Sequence, residues 1–158
     1  MGIEGATGNP ISATAFVDLD LPEIEDVIPE TRLTVLKSGA TKETKRKTEE
    51  RNGAYVRLVG GICLAVAATA FAAAPTVAFV VIAAYTQRKK RGGADIEDAY
   101  VIEARIPREA IAAMNAKSDA PLDVLVRCQT RVDPAANLGL KKIAQPSSVA
   151  ELRAHESA

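Results

Sequence analysis

Tryptophan is absent from the chain, histidine occurs once and cysteine twice, and these shortages argue against several kinds of active site. His155 lies close to the carboxy terminus, where chains commonly fray, so a nucleophile system that depends on histidine is not expected. Cys63 and Cys128 are too few and too far apart for a disulfide framework or a cysteine metal site. The sequence therefore predicts a protein that is not an enzyme and that holds no cofactor or metal.

Positive and negative charges are equal in number but are separated along the chain. Lysine and arginine total 20, as do aspartate and glutamate, so no net positive charge favours nucleic acid as a partner. Residues 1–31 hold seven acidic side chains and no basic one, whereas residues 32–57 hold eight basic and three acidic ones. These changes predict five segments: an acidic region (1–40), a charged juxtamembrane helix (41–55), a transmembrane segment (56–86), a basic and polar linker (87–98) and a small α+β unit (99–158).

An uncharged, alanine-rich run from Leu58 to Ala84 predicts a single transmembrane helix. Its 27 residues, at about 1.5 Å each, would extend over roughly 40 Å, which exceeds the ~30 Å hydrocarbon core, so a tilted or kinked crossing fits. The alternative is the buried central helix of a soluble protein. The length of the uncharged run and the basic residues on both sides favour the membrane.

Pro75 divides the apolar run nearly in half. Because proline removes one helical hydrogen bond and clashes with the preceding turn, a kink near the bilayer midplane is expected. Alternatively the segment turns back at Pro75 as a re-entrant hairpin, which would put both basic clusters on the cytoplasmic side. Lysine and arginine are equally numerous near the two ends, so the orientation of a single pass is not predicted.

Aromatic and basic residues flank the apolar run and are expected to lie at the membrane interface, in contact with the bilayer and with anionic lipid. These residues are Tyr55, Arg57, Tyr85, Arg88, Lys89, Lys90 and Arg91. Neither basic cluster contains the aromatic side chains on which bases stack, so nucleic acid is again not an expected partner.

Small residues recur at every fourth position along the first half of the run. Gly61, Ala65, Thr69 and Ala73 would share one face of a helix. In a membrane such a face lets a second helix approach closely, so the stripe predicts self-association. An alanine-rich helix also produces this spacing by chance, and that alternative stays open.

The clearest strand and helix patterns lie beyond the apolar run. Residues 100–106 and 122–132 alternate between apolar and polar side chains, which predicts two strands. Pro107 predicts the start of a helix, and Ser148 with Glu151 has the spacing of a capping box before a final helix. In the acidic amino-terminal region, residues 16–21 alternate weakly and residues 33–36 predict a short strand. The many acidic residues and prolines there predict largely irregular, partly extended structure.

The fold class expected from these patterns is a membrane protein with one transmembrane helix, a small α+β carboxy-terminal unit and an irregular acidic amino-terminal region. The expected function is that of a non-enzymatic, membrane-anchored structural or assembly subunit of a larger complex, in a bacterial envelope or a membrane-containing virion. Two alternatives remain: a pore-forming or membrane-remodelling oligomer, and an accessory subunit of a membrane enzyme or transporter.

Overall fold

A computed structural model describes residues 13–90 and 92–156 of the chain. The helices and strands, in chain order, are β1 (Ala13–Asp20), α1 (Ile24–Val27), β2 (Thr31–Val35), β3 (Thr41–Lys45), α2 (Thr48–Ala73), β4 (Val77–Lys89), β5 (Ile96–Pro107), α3 (Arg108–Ala113), α4 (Pro121–Val126), β6 (Gln129–Val132) and α5 (Ser147–Glu156).

Four of the strands form one sheet in the order β1, β4, β5, β6. Strand β1 is parallel to β4, and helix α2 belongs to the connection between them, whereas β4, β5 and β6 are successively antiparallel. Strands β2 and β3 form a separate antiparallel hairpin. The prediction of largely irregular structure is therefore wrong for residues 13–45, because this region supplies an edge strand of the main sheet and the whole of the hairpin.

The apolar run is not one continuous helix. Helix α2 ends at Ala73 and β4 begins at Val77, so the helix predicted across residues 56–86 is wrong in its second half. A residue that precedes proline avoids the helical conformation, and Ala74 accordingly has φ −130° and ψ 89°. Residues 77–82 then contain five aromatic or β-branched side chains, which favour a strand over a helix. Pro75 thus follows a helix terminus and does not kink a helix.

The charged segment before α2 is likewise divided. Residues 41–55, predicted as one juxtamembrane helix, form β3 and then the first two turns of α2. Strand β3 pairs with β2, which confirms the short strand predicted near Leu33. Oε1 of Glu50 forms ion pairs with the guanidinium groups of Arg32 at 2.9 Å and Arg46 at 3.4 Å. These contacts join the base of the hairpin to α2.

One face of α2 packs on the sheet and forms the main core. Its buried residues are Tyr55, Val56, Val59, Gly60, Cys63, Leu64, Ala67 and Phe71. They lie in one cluster with Val80 and Ile82 of β4 and with Ile102 and Ile106 of β5. Burial of each large apolar side chain contributes about 1.5–3 kcal/mol, so this interface is the main source of stability. One long apolar helix with a small α/β unit is confirmed.

Strand β5 confirms the alternation predicted for residues 100–106, with one change of phase. Ala84 pairs with Ile102 and Tyr85 with Tyr100, so Val101 is an extra residue that has no partner in β4. Because of this bulge Tyr100 belongs to a small second cluster with Ala83 and Val149, whereas Ile102 and Val101 both belong to the core under α2.

The strand predicted for residues 122–132 is wrong in its first half. Helix α4 occupies Pro121–Val126, with a proline in its first turn, and only Gln129–Val132 form a strand. Gly60 explains the docking of α4, because a Cβ at this position would lie 3.2 Å from Cβ of Pro121. Helices α3 and α5 confirm the two predicted carboxy-terminal helices. Ser148 lies within α5, and its hydroxyl donates to Glu103 at 3.4 Å.

Candidate functional site on the outer face of helix α2

The side of α2 that points away from the sheet carries a shallow apolar groove of about 450 Å³. We call its lining the outer face of α2, and it consists of Ile62, Ala65, Val66, Thr69, Ala70 and Ala73. Thr69 is the only polar residue of this set, and its hydroxyl donates to the carbonyl of Ala65 at 2.8 Å. Because that hydroxyl is satisfied within the helix, the whole groove can meet another apolar surface without leaving a polar group unpaired.

The structure brings together three of the four residues of the predicted stripe. Ala65, Thr69 and Ala73 line the groove. Gly61 does not, because it is half-buried beside α4, and a Cβ there would lie 3.9 Å from Cγ of Pro121. Ile62 and Val66, which sequence reasoning missed, provide the larger side chains of the groove. Their spacing of four residues, one position after the stripe, is a signal that was present in the sequence.

Helix α2 is, in the part of the chain that the structure describes, the one helix long and apolar enough to cross a membrane. Its most apolar window has a mean hydropathy of 1.9, and 39% of that window is buried inside the protein. Length and composition are the whole of this support for a membrane location, since the core helix of a soluble protein has the same two properties.

The two tyrosines predicted to flank a membrane span do not mark the ends of one helix. Tyr55 is buried in α2, and its hydroxyl donates to the carbonyl of Pro22 at 2.7 Å. Burial, with a smaller contribution from the negative charge of Glu23, raises the pKa of Tyr55. Tyr85 lies half-buried in β4, where its ring is 5.5 Å from the ring of Tyr100.

The predicted basic interface residues occupy two different elements. Arg57 is exposed on α2, whereas Arg88 and Lys89 are exposed at the end of β4, and Lys90 follows them. Arg88 donates to the hydroxyl of Thr86 at 3.2 Å and to the carbonyl of Leu140 at 2.9 Å. Arg91 lies outside the described residues. Contact of these residues with anionic lipid stays a prediction.

Arg108 is a positioning residue that sequence reasoning missed. It follows β5, and its guanidinium donates to the carbonyls of Phe71 at 3.1 Å, Ala74 at 2.9 Å and Val77 at 2.7 Å. These groups belong to the end of α2 and the start of β4, so Arg108 closes the turn between them. No local pattern connects an arginine with a turn more than thirty residues earlier in the chain.

Neither described cysteine is ionised at neutral pH. Burial raises the pKa of the Cys63 thiol to about 12, and desolvation also raises the pKa of Cys128, so both are thiols at neutral pH. Within residues 13–90 and 92–156, no group of three histidine, cysteine, aspartate or glutamate side chains could hold a metal ion. The side chain of His155 is outside the described set.

No protein-family model, curated protein or solved structure matches this chain. The fold and the surface themselves define its class. It is an α/β protein in which one long apolar helix covers one face of a four-stranded sheet and presents a second apolar face outward.

Proposed function

We propose that this chain is a structural or assembly subunit whose helix α2 pairs, through its outer face, with α2 of a second copy. The observation that carries the proposal is an apolar groove on the exposed side of a helix whose other side is already buried. Alanine side chains at positions 65 and 73 allow two helix axes to approach to about 8–10 Å, and Ile62 and Val66 can insert beside them.

The spacing of exposed residues on α2 supports a second helix as the occupant. Intervals of four and three residues alternate along this side, in the set Leu58, Ile62, Ala65, Thr69 and Ala72, of which Ile62 is half-buried and the others are exposed. This is the spacing of the seam between two helices of a coiled coil. Leu58, 37% exposed, extends the apolar surface toward the start of the helix.

The composition of the outer face favours a protein partner over a lipid surface. Helices that lie in the membrane interface usually carry tryptophan, phenylalanine or leucine on the apolar side and basic residues on the other. The outer face has no aromatic residue, and its alanine side chains would bury little area in lipid. Small side chains are instead suited to close contact between two helices.

The β2–β3 hairpin independently supports a role in assembly. Its apolar side chains Leu33 and Val35 are 74% and 71% exposed, and Leu36 follows at its tip. A two-stranded hairpin is marginally stable in water by itself, and exposed large apolar residues commonly mark interaction surfaces. Partners that cover the hairpin would stabilise it.

Membrane anchoring is a second candidate, favoured by the hydropathy of α2. To enter a bilayer as a lipid-exposed span, α2 would have to leave the sheet. That step would uncover the apolar residues of β4 and β5 that α2 now covers, among them Val80 and Ile106. The pairing of two intact subunits requires no such rearrangement, and for this reason we place it first.

Sedimentation velocity of the full chain tests the proposal. We expect the wild type to be a dimer at micromolar concentration and Ala65→Lys to be a monomer, because the new ammonium group would be buried between the helices. Ala112→Lys, which makes the same change at an exposed position of α3, is the matched control and should remain a dimer.

Two results would contradict the pairing of helices. One is a wild-type protein that stays monomeric at about 100 µM, a concentration at which interfaces of even modest affinity are occupied. The other is a wild-type protein that floats with liposomes of neutral lipid and is monomeric in detergent. The second result would support the membrane candidate instead.

A further inference from the structure

The sheet face opposite α2 is partly covered by α5 and carries a cleft. At the floor of this cleft, paired residues from the four strands form a row across the sheet. They are Phe16, Val81, Arg105 and Gln129. A cavity of about 550 Å³ lies between this row and Ser148 of α5. A second cavity, of about 480 Å³, shares Arg105 and Gln129 and adds Phe79. We call the two adjoining cavities the sheet cleft.

Some of the charged groups around the sheet cleft are already paired. In the next row of the sheet, Arg131 and Glu103 form an ion pair at 2.6 Å. Asp18 accepts a hydrogen bond from the hydroxyl of Tyr100 at 3.1 Å. Two arginines differ, because within the described part of the chain neither Arg105 nor Arg127, which lines the smaller cavity, has a carboxylate partner. The guanidinium carbon of Arg105 lies 4.1 Å from the centroid of the Phe79 ring, and this contact holds Arg105 in place.

An arginine held in this way is prepared to bind an anion. The contact with the aromatic face fixes the plane of the guanidinium without using its N–H donors. The free donors form a planar fork that matches the two oxygens of a carboxylate. Arg105 is half-buried, so its attraction for an anion is less weakened by water than that of an exposed arginine. The amide of Gln129 beside it adds another donor.

The same cleft has an apolar part. Phe16 and Val81 lie in the same row as Arg105 and line the larger cavity. Phe79, Pro107 and Cys128 line the smaller one. Ligand sites commonly have volumes of about 300–1,000 Å³ and combine apolar walls with a few polar groups, which is the composition found here.

We propose that the sheet cleft binds a small organic carboxylate with an apolar body. The carboxylate lies on the guanidinium of Arg105, and the apolar body lies against Phe16 and Val81. The cleft is on the face of the sheet opposite α2, so this binding does not depend on the assembly proposed above.

Isothermal titration of the full chain with octanoate tests the proposal, with 1-octanol and inorganic phosphate as reference probes. Octanoate should bind saturably, and about tenfold or more tightly than 1-octanol, because a hydrogen bond to a charged group is stronger than one between neutral groups. Inorganic phosphate should bind much more weakly than octanoate, since it gains nothing from Phe16 and Val81.

Substitutions locate the site. Arg105→Met should weaken octanoate binding about tenfold or more, and Arg105→Lys should weaken it severalfold, because lysine lacks the planar fork. Arg57→Met removes an exposed arginine from α2 and should leave octanoate binding unchanged. Thermal unfolding of each variant verifies that it is folded. If Arg105→Met does not fold, Arg105→Lys decides.

Four outcomes would overturn the proposal. They are the absence of octanoate binding to the folded wild type, equal affinity for octanoate and 1-octanol, equal affinity of wild type and Arg105→Lys for octanoate, and phosphate binding as tight as that of octanoate. The last outcome would identify the cleft as a site for free phosphate.

Discussion

Arg108 joins the end of α2 to the start of β4 and thereby stabilises the turn that divides the apolar run. A helix terminus leaves its last carbonyls without partners and carries a partial negative charge, so a cation there is doubly favourable. The Arg108 guanidinium donates to carbonyls on both sides of Pro75, and it also lies 4.7 Å from the ring centroid of Phe71.

Replacement of Arg108 by methionine would remove the charge and all its donors while keeping an apolar stem. A hydrogen bond from a charged group contributes about 1.5–3 kcal/mol, and a cation at a helix terminus up to ~2 kcal/mol. These contributions do not add, because the freed carbonyls are partly accessible to water. We therefore expect Arg108→Met to lower the free energy of unfolding by about 3 kcal/mol, and Arg108→Lys by about 1 kcal/mol.

Urea denaturation followed by circular dichroism measures this loss. With a slope of about 1–3 kcal/mol per molar urea, the midpoint should fall by about 1 M or more. Arg57→Met is the control and should stay within about 0.5 kcal/mol of the wild type, because Arg57 is exposed on α2. A loss below about 1 kcal/mol for Arg108→Met would refute the helix-to-strand turn at Pro75. In a continuous helix kinked at Pro75, the carbonyl of Phe71 would be the one left without its helical partner there, so Arg108 would have a single acceptor in place of several.

Three further predictions concern glycine and cysteine residues of the described fold. Gly61→Ala should raise the free energy of unfolding by up to about 1 kcal/mol, because alanine favours a helix more than glycine does. Gly60→Ala should not raise it, because the new Cβ would lie 3.2 Å from Cβ of Pro121. Equal free energies of unfolding for the two variants, measured by urea titration, would contradict the packing of α4. Burial raises the pKa of the Cys63 thiol from 9.0 to about 12, so above pH 9 the unfolded state loses this proton while the folded state keeps it. The free energy of unfolding should therefore fall as the pH rises from 9 to 12, by about 1.4 kcal/mol per pH unit from this thiol. Cys63→Ala should lessen that fall, and an identical pH profile for wild type and variant would refute the burial of Cys63. A maleimide at pH 7.5 should label the half-buried Cys128 in the native protein, whereas it should label the buried Cys63 only in denaturant. Rapid labelling of Cys63 in the native protein would mean that α2 leaves the sheet.

Local patterns predicted those elements whose structure is determined locally. The alternation from Ile102 to Ile106 identified β5, because side chains of a strand alternate between two faces. Leu33 marked β2, and Pro107 marked the beginning of α3. Residues 58–84 are different, since a continuous apolar run fits a buried helix or a buried strand and periodicity does not distinguish the two. The strand β4 is determined by Pro75 and by pairing with β1 and β5, which lie far away in the sequence.

The candidate surfaces were predictable to different extents. Ala65, Thr69 and Ala73 share a helix face by spacing alone, so the groove was foreseen in part. The kind of partner that the outer face of α2 binds depends on what covers the opposite side of the helix. The spacing of small residues gives no information on that opposite side. The contact between Arg105 and Phe79 depends on the register of β4 with β5, and no local pattern encodes it.

The order of the elements along the chain has a consequence for synthesis on the ribosome. Helix α2 is complete at Ala73, but the two strands of the sheet that cover it, β4 and β5, are not complete until Pro107. At about 5–20 residues per second, the nascent helix remains uncovered for a few seconds. During that interval it is open to any factor that recognises nascent apolar segments, and the emergence of β4 and β5 ends that opportunity.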